Sequence, residues 1–143
     1  MQELGMVRDN LHRYIVPVTG GTLNGSGMDF HISGPGNDWI LLDTISGIAH
    51  LDVRTQAQTA EGKSVSIRFP GTVKMDEDVA LILRFDPKAK STNPGDHYFW
   101  TTPTFETSEQ SFQWMEQHCF LGIGYFNVQK SKMTIVYDIY KLL

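Results

Sequence analysis

Three charged residues on one predicted β-hairpin have the spacing of an anion-binding or proton-transfer site. The stretch GIAHLDVRTQAQTAEGKSVSIRF reads as two strands around a turn at Ala60-Glu61-Gly62, with the glycine in the left-handed conformation that a three-residue hairpin loop requires. Counting back from that loop sets Arg54 opposite Arg68, with Asp52 diagonal to Arg68. A carboxylate is therefore expected between two guanidinium groups.

The chemistry of this cluster depends on which side of the sheet it faces. On an outer face it is a solvated ion network that contributes little to stability. Inside a barrel it is a preorganised anion site, in which Arg54 and Arg68 hold a developing oxyanion and Asp52 is a base kept ionised by its neighbours. Spacing alone leaves both alternatives open, and these three residues are the catalytic candidates.

Aromatic side chains provide the second signal. Tryptophan and tyrosine combine flat apolar rings with polar ends, and they line pockets for flat organic ligands as well as ordinary cores. Together with an acidic residue in the stretch DWILLD, they form the candidate substrate-binding set: Asp38, Trp39, Tyr98, Trp100 and Trp114. The sequence does not separate a binding role from core packing for these residues.

The sequence motifs do not indicate a phosphate-binding loop, a metal site or a catalytic nucleophile. The stretch YIVPVTGGTLNG ends a strand with a glycine pair, but the lysine and helix of a phosphate-binding loop do not follow. The five histidines are scattered, without the close pairs that begin a zinc site. Cys119 lies in an apolar strand, and no serine lies in a Gly-x-Ser-x-Gly elbow. We expect no metal and no cofactor, with metal ligands assembled from distant strands as the alternative.

Composition restricts the class of protein. The chain has 143 residues, enough for one domain and too few for two ordinary ones. It is 41% hydrophobic and carries a net charge of −4; since no basic cluster stands out, nucleic acid is not an expected partner. No apolar run approaches the roughly 20 residues that span a bilayer, and the N-terminus lacks a secretory signal. We expect a cytoplasmic protein with no membrane contact.

The hydrophobic pattern predicts the elements that position the candidate residues. A period of two dominates, which is typical of antiparallel strands. Two helices are predicted, near Asp76–Phe85 and near Ser108–Glu116, the second with Thr107 and Gln110 at capping-box spacing. Seven or so strands and few helices indicate a mainly β protein, an antiparallel barrel or sandwich, in one domain over residues 1–143.

Some strands carry apolar residues on both faces. In IVYDIY, apolar side chains occur at Ile135, Val136, Tyr137 and Ile139, so both sides of this strand need cover. The interior can cover one side, and a helix or a second subunit must cover the other. We therefore predict a homodimer.

Six stretches carry a family resemblance. They are IVPVTGGTLNG, GPGNDWILL, GIAHLDVR, DHYFWTTPTFET, FQWMEQHCFLGIG and IVYDIY. In this order they resemble the DUF3237 family, small β-barrel proteins labelled as a domain of unknown function, over about Tyr14 to Leu143. The resemblance implies a single antiparallel, lipocalin-like barrel with an interior cavity, often dimeric. It implies no agreed activity, although some fungal members are tied to natural-product pathways as cofactor-free cyclases.

The chain departs from the family pattern in a few places. Trp100 stands where an arginine is usual, which would make the cavity less cationic and more aromatic, and Glu116 stands where an asparagine is usual. RFPG replaces a more polar sequence. The family also begins with a further strand before the stretch matching HRYIVPVTGG, and we expect that strand to be short or missing here.

Two functions of different classes are consistent with these observations. One is a cofactor-independent enzyme of secondary metabolism that uses acid/base chemistry to cyclise or isomerise a phenolic, polyketide-type molecule inside the barrel. The other is a non-catalytic carrier that binds such a molecule in the same cavity. Both need an aromatic-lined pocket, and only the enzyme needs an ionisable group poised within it.

Overall fold

The protein is built mainly from β-strands. The computed structural model describes residues 1–130 and 132–143, and within them lie eleven strands, one α-helix and one 3-10 helix. The strands are β1 (Gln2–Arg8), β2 (Leu11–Pro17), β3 (Thr22–Gly25), β4 (Met28–Ile32), β5 (Asn37–Asp43), β6 (Ile48–Gln58), β7 (Ser64–Lys74), β8 (Phe99–Thr101), β9 (Thr104–Glu106), β10 (Phe120–Gln129) and β11 (Lys132–Lys141). The helices are α1 (Glu77–Leu83) and the 3-10 helix (Gln110–Met115).

The strands form one antiparallel sheet. Its main order is β1-β2-β5-β6-β7-β8-β10-β11, with β4 joining the β3–β4 hairpin to β6 and β9 pairing with β7. Among the described residues, β1 and β11 at the two ends of this order are not paired with each other. The predicted antiparallel, mainly β fold is therefore confirmed, whereas hydrogen bonds do not close the sheet into the predicted barrel.

The β6–β7 hairpin has the predicted register. Gly62 has a φ of 85°, the left-handed conformation that glycine adopts without strain, and the Thr59 N–H donates to the Lys63 carbonyl at 2.9 Å. Arg54 consequently lies opposite Arg68. The turn chemistry fixes the register because a shift of one residue would move every apolar side chain to the other face.

One face of the sheet, here called the inner face, carries the core. Along β6 every second residue is buried: Ala49, Leu51, Val53, Thr55 and Ala57. Ala57 belongs to an apolar cluster around Phe30, Phe105 and Met115, and Ala49 and Leu51 belong to a second one around Phe99 and Phe126. The helix α1 adds Val79 and Ile82 to the second cluster. The alternate residues of β6, from His50 to Gln58, lie on the opposite, outer face.

The two predicted helices exist but are shorter than expected. Asp76 is the N-cap of α1, and its carboxylate accepts the Val79 N–H at 2.9 Å. The second helix is a 3-10 helix whose N-cap is Glu109, with no side-chain cap bond, so the capping box expected at Thr107 is wrong. The Thr107 hydroxyl instead donates to the Ser64 carbonyl, which ties this segment to β7.

Two other expectations about strands need correction. The stretch HYFWTTPTF was predicted as one strand, but it forms β8 and β9, separated by Thr102 and Pro103. Proline has no N–H for a ladder, which explains the break. The N-terminal strand expected to be short or missing is present as β1, seven residues long and paired with β2.

The cap of α1 yields a stability prediction. Asp76→Ala should lower the free energy of unfolding by about 1 kcal/mol near neutral pH, because the Val79 N–H loses its acceptor. Partial burial raises the pKa of Asp76, but hydrogen bonds from the Val79 N–H and from His97 outweigh it and lower this pKa overall. The stabilisation is thus present above the unfolded-state pKa and is lost as the pH falls through the lowered folded-state pKa.

Urea denaturation of wild type and Asp76→Ala at neutral and acid pH measures this difference. Glu77→Ala is the matched control, since Glu77 also lies in the first turn but is not the cap. A difference of equal size at acid pH would contradict the assignment.

Candidate functional site

The charged cluster of the hairpin forms as predicted but lies on the outer face. The Arg68 Nε lies 3.3 Å from Asp52 Oδ1, and the Arg54 Nε lies 3.8 Å from the same oxygen. The side chains are exposed, 41% for Asp52, 69% for Arg54 and 49% for Arg68. Because solvent screens exposed pairs, this network contributes little to stability. The alternative that places these three residues inside a barrel is wrong.

Three of the predicted aromatic residues also lie on the outer face. Trp39 lines a shallow cleft of about 430 Å³ together with Asp52 and Arg54. Tyr98 and Trp100 line a neighbouring cleft of about 620 Å³. Trp39 and Tyr98 are 47% and 60% exposed, so they are surface groups rather than walls of an interior cavity.

Trp114 lies apart from this group. It packs beside the first core cluster, with its ring centroid 6.1 Å from that of Phe120, and the Lys141 Nζ lies 5.8 Å from its ring centroid. The five predicted binding residues therefore do not form one pocket.

Asp38 is the one predicted site residue that is buried on the inner side. Its exposed fraction is 8%, and it alternates along β5 with the exposed Trp39. Desolvation raises the pKa of Asp38 from its ordinary 3.8 to about 6; a hydrogen bond from the Asp52 backbone lowers it, and the charge of Asp52 raises it. Keeping the ionised form at neutral pH costs on the order of 3 kcal/mol.

The hydrogen bonds around Asp38 interrupt the β5–β6 ladder. β5 and β6 keep one register along the whole of β5. Among the residues that the structure describes, however, Trp39 and Ile40 of β5 do not form ladder pairs with β6. Asp52, which lies opposite Trp39, donates its backbone N–H to Asp38 Oδ1 at 3.1 Å. We call this place, between the Trp39 carbonyl and the Asp52 N–H, the open rung. A side-chain carboxylate there replaces a backbone acceptor.

Tyr137 is the polar group of the inner face that Asp38 influences. Its ring packs edge-on against Phe69 and Phe99, at centroid distances of 5.3 and 5.4 Å. Burial, and secondarily the negative charge of Asp38, raise the pKa of Tyr137 above its ordinary value. The phenol consequently stays protonated at neutral pH and can donate a hydrogen bond.

The inner face is incompletely packed around this pair. Tyr14 lies opposite Ile40, and the two are only partly buried, as are Phe69 and Tyr137. Ile139, on the same face of β11 as Tyr137, is 37% exposed. Tyr14 lies on β2, beside the edge strand β1, and Tyr137 and Ile139 lie on the edge strand β11. The inner face therefore carries partly exposed aromatic side chains.

A third cluster lies at the start of α1. Ligand atoms of Asp76, Asp78 and His97 lie within 4.8 Å of one another. His97 Nδ1 contacts the Asp76 carboxylate directly, and Asp76 also caps α1. The helix cap therefore accounts for this contact, which the sequence analysis did not anticipate because the two residues are 21 positions apart.

Comparison with known proteins identifies the family of the chain. The family model for DUF3237, a protein of unknown function, matches residues 2–142. The chain belongs to this family. A UPF0311 protein of Rhodopseudomonas palustris strain TIE-1 is 27% identical over 136 residues, which cover 92% of this chain and 80% of the relative. The UPF0311 protein of a second strain of that species is 26% identical over the same coverage.

Solved structures of other proteins share the fold. A β-barrel-like protein from Acinetobacter baumannii is 26% identical, with a TM-score of 0.72 over 98% of this chain and 84% of the other. A conserved protein of unknown function from Rhodopseudomonas palustris gives a TM-score of 0.79 at 24% identity, covering 99% and 87%. None of these names assigns an activity. In the described residues, no helix is long and apolar enough to cross a bilayer.

Two features of the site do not follow from the sequence. The sequence predicts Asp38 as a binding residue rather than as a buried group with a raised pKa, and Tyr137 only as part of a strand with two apolar faces. The available signal for Asp38 is an acidic residue that precedes the otherwise apolar run WILL. Its burial is a tertiary effect that no local pattern specifies.

Proposed function

We propose that this DUF3237 protein is a cofactor-independent enzyme that cyclises or isomerises a phenolic, polyketide-type small molecule on the inner face of its sheet. The observation that carries the proposal is the buried carboxyl of Asp38, whose pKa is raised to about 6. A group with a pKa near neutrality both accepts and returns a proton efficiently. The partly exposed aromatic residues beside it suit a flat substrate.

The proposed reaction moves one proton and makes one bond. With a phenol beside an enone, the Asp38 carboxylate takes the phenolic proton, and the phenolate oxygen attacks the β-carbon of the alkene. The electron pair of the alkene moves to the carbonyl oxygen, giving an enolate. The Asp38 carboxylic acid then returns the proton to the α-carbon. Product and substrate are isomers, so the atoms balance without a cofactor.

Tyr137 has the complementary role in this proposal. Its hydroxyl, held protonated by burial and by the charge of Asp38, donates to the oxygen on which the enolate charge develops. Phe69 and Phe99 fix the orientation of its ring. The earlier assignment of oxyanion binding to Arg54 and Arg68 is replaced, because both lie on the outer face.

A suitable first probe is 2′-hydroxychalcone, whose closure to a flavanone is this reaction. We expect the protein to accelerate the loss of chalcone absorbance and, in deuterated buffer, to place one deuterium on the α-carbon. A small panel of phenolic enones extends the test. Saturable binding of these compounds without acceleration would support the carrier function instead. Neither binding nor acceleration across the panel would refute both functions.

The outer face supports a homodimer as part of this proposal. Trp39 and Tyr98 are exposed there, and half-buried Trp100 and Ile123 lie opposite each other on the same face. The carboxylate of Asp52 and its neighbouring guanidinium groups provide both signs of charge on one patch. A two-fold interface, in which the same patch meets itself, can pair such charges.

Sedimentation measures the expected dimer. We expect the wild-type protein to sediment as a dimer at tens of micromolar concentration and Tyr98→Asp to shift it toward monomer, because an unpaired charge would be buried. Ile45→Asp is the matched control, since Ile45 is even more exposed, at 82%, but lies in the turn before β6. A monomeric wild type, or equal effects of both variants, would contradict this interface.

A further inference from the structure

One arginine on β2 contacts the backbone at the open rung. The Arg13 Nη1 donates to the Trp39 carbonyl at 3.1 Å. That carbonyl is the acceptor that the Asp52 N–H would use in a regular antiparallel pair. The Asp52 N–H donates to Asp38 instead. Both halves of one missing backbone bond are therefore satisfied by side chains.

We propose that Arg13 is a positioning residue for Asp38: its guanidinium occupies the Trp39 carbonyl and keeps the rung open, so that the Asp38 carboxylate receives the Asp52 N–H. The two strands keep their register on both sides of the rung, so the opening is local. The catalytic consequence rests on the proposed function, whereas the hydrogen-bond arrangement does not.

The reason is a competition for one donor. A backbone N–H inside a sheet must have an acceptor, because an unpaired buried donor costs roughly as much as a lost hydrogen bond. Without Arg13, the Trp39 carbonyl is free to accept the Asp52 N–H and complete the ladder. Asp38 then loses the one donor that the described hydrogen bonds give its carboxylate.

The charged and titratable groups that influence Asp38 come from four strands, β2, β6, β7 and β11. The charge of Asp52 on β6 raises the pKa of Asp38, and Arg54 on β6 and Arg68 on β7 form ion pairs with Asp52. The charge of Asp38 in turn raises the pKa of Tyr137 on β11. Arg13 on β2 acts through the Trp39 carbonyl.

Nuclear magnetic resonance tests the arrangement without any substrate. An amide proton bonded to a carboxylate shifts when that carboxylate ionises, so in the wild type the Asp52 amide should titrate together with the Asp38 carboxyl carbon. Arg13→Met keeps the aliphatic part of the side chain but removes the donor. In this variant the chemical shift of the Asp52 amide proton should lose most of its dependence on the ionisation of Asp38. The midpoint of Asp38 should also rise, since the lost bond had favoured the ion.

Two further variants complete the test. Arg13→Lys restores a donor and should restore the Asp52 titration, and Arg8→Met, an exposed arginine of β1, should leave it unchanged. If Arg13→Met does not fold, Arg13→Leu takes its place, since leucine also lacks a hydrogen-bond donor. An Asp52 amide that titrates as in the wild type in the donor-free variant would overturn the proposal.

Turnover separates the two proposals. If the Asp52 titration depends on Arg13 but no phenolic enone reacts, the positioning role stands and the proposed function fails. If the enones react and Arg13→Met changes neither the titration nor the pH profile of turnover, the function stands and the positioning role fails.

Discussion

Asp38→Asn should reduce the turnover of a phenolic enone by at least about 10²-fold, the usual contribution of one well-placed acid or base. Asparagine cannot accept and return a proton at neutral pH, but its side-chain oxygen can still accept the Asp52 N–H. The variant should therefore keep its fold. Above pH 6 it should be at least as stable as the wild type, because it no longer holds a buried charge.

The pH profile provides an independent readout of the same residue. Because the base must be ionised, turnover in the wild type should rise as the pH increases through about 6, the raised pKa of Asp38. Stability should change in the opposite sense. A carboxyl whose folded-state pKa is raised binds protons more readily in the folded state, so its contribution to stability falls as the pH rises from about 4 to about 6.

Asp52→Asn is the control that separates this proposal from the one suggested by the hairpin alone. It makes the same chemical change on the neighbouring strand, but on an exposed side chain of the outer face. We expect it to change turnover by less than about tenfold. If Asp52→Asn abolishes turnover and Asp38→Asn does not, the base is Asp52, and the inner-face site is wrong.

The contrast between these two aspartates shows what the sequence could specify. The pairing of Arg54 with Arg68 follows from a glycine turn and a period of two, which are local rules. These rules do not determine which face of the sheet is exposed, since the polar face of a strand can meet solvent or line a cavity. The burial of Asp38 and the proposed role of Arg13 at the open rung both depend on residues that are far apart in the chain. These are tertiary effects without a local signature.

The helices and β1 show the same limit of sequence-based prediction for whole secondary-structure elements. Asp76 could be recognised near the start of α1 because N-caps act within one turn. The 3-10 helix could be located, but its cap could not, because the Thr107 hydroxyl accepts the N–H of Glu109, the N-cap residue itself, and donates to the Ser64 carbonyl of β7. Similarly, β1 has only Leu4, Met6 and Val7 as apolar signals, and it forms by pairing with β2.

The second large effect is expected in the core that supports Tyr137. Phe99 is 1% exposed, and it packs against both Phe126 and Tyr137. Phe99→Ala should lower the free energy of unfolding by about 3–5 kcal/mol, the usual cost of removing a buried phenyl ring. Loss of this support should also loosen the Tyr137 ring, so turnover should fall with stability.

Gly124 makes the prediction more specific. A Cβ at this position would lie 2.7 Å from two ring carbons of Phe99, so Gly124→Ala should destabilise by about 1–3 kcal/mol through overpacking. Combined with Phe99→Ala, the added methyl enters space that the ring has left. The double variant should therefore lose less stability than the sum of the single losses, by about 0.5–3 kcal/mol. Urea denaturation of the four proteins measures this interaction energy. Strictly additive losses would mean that the ring of Phe99 does not occupy the space above Gly124.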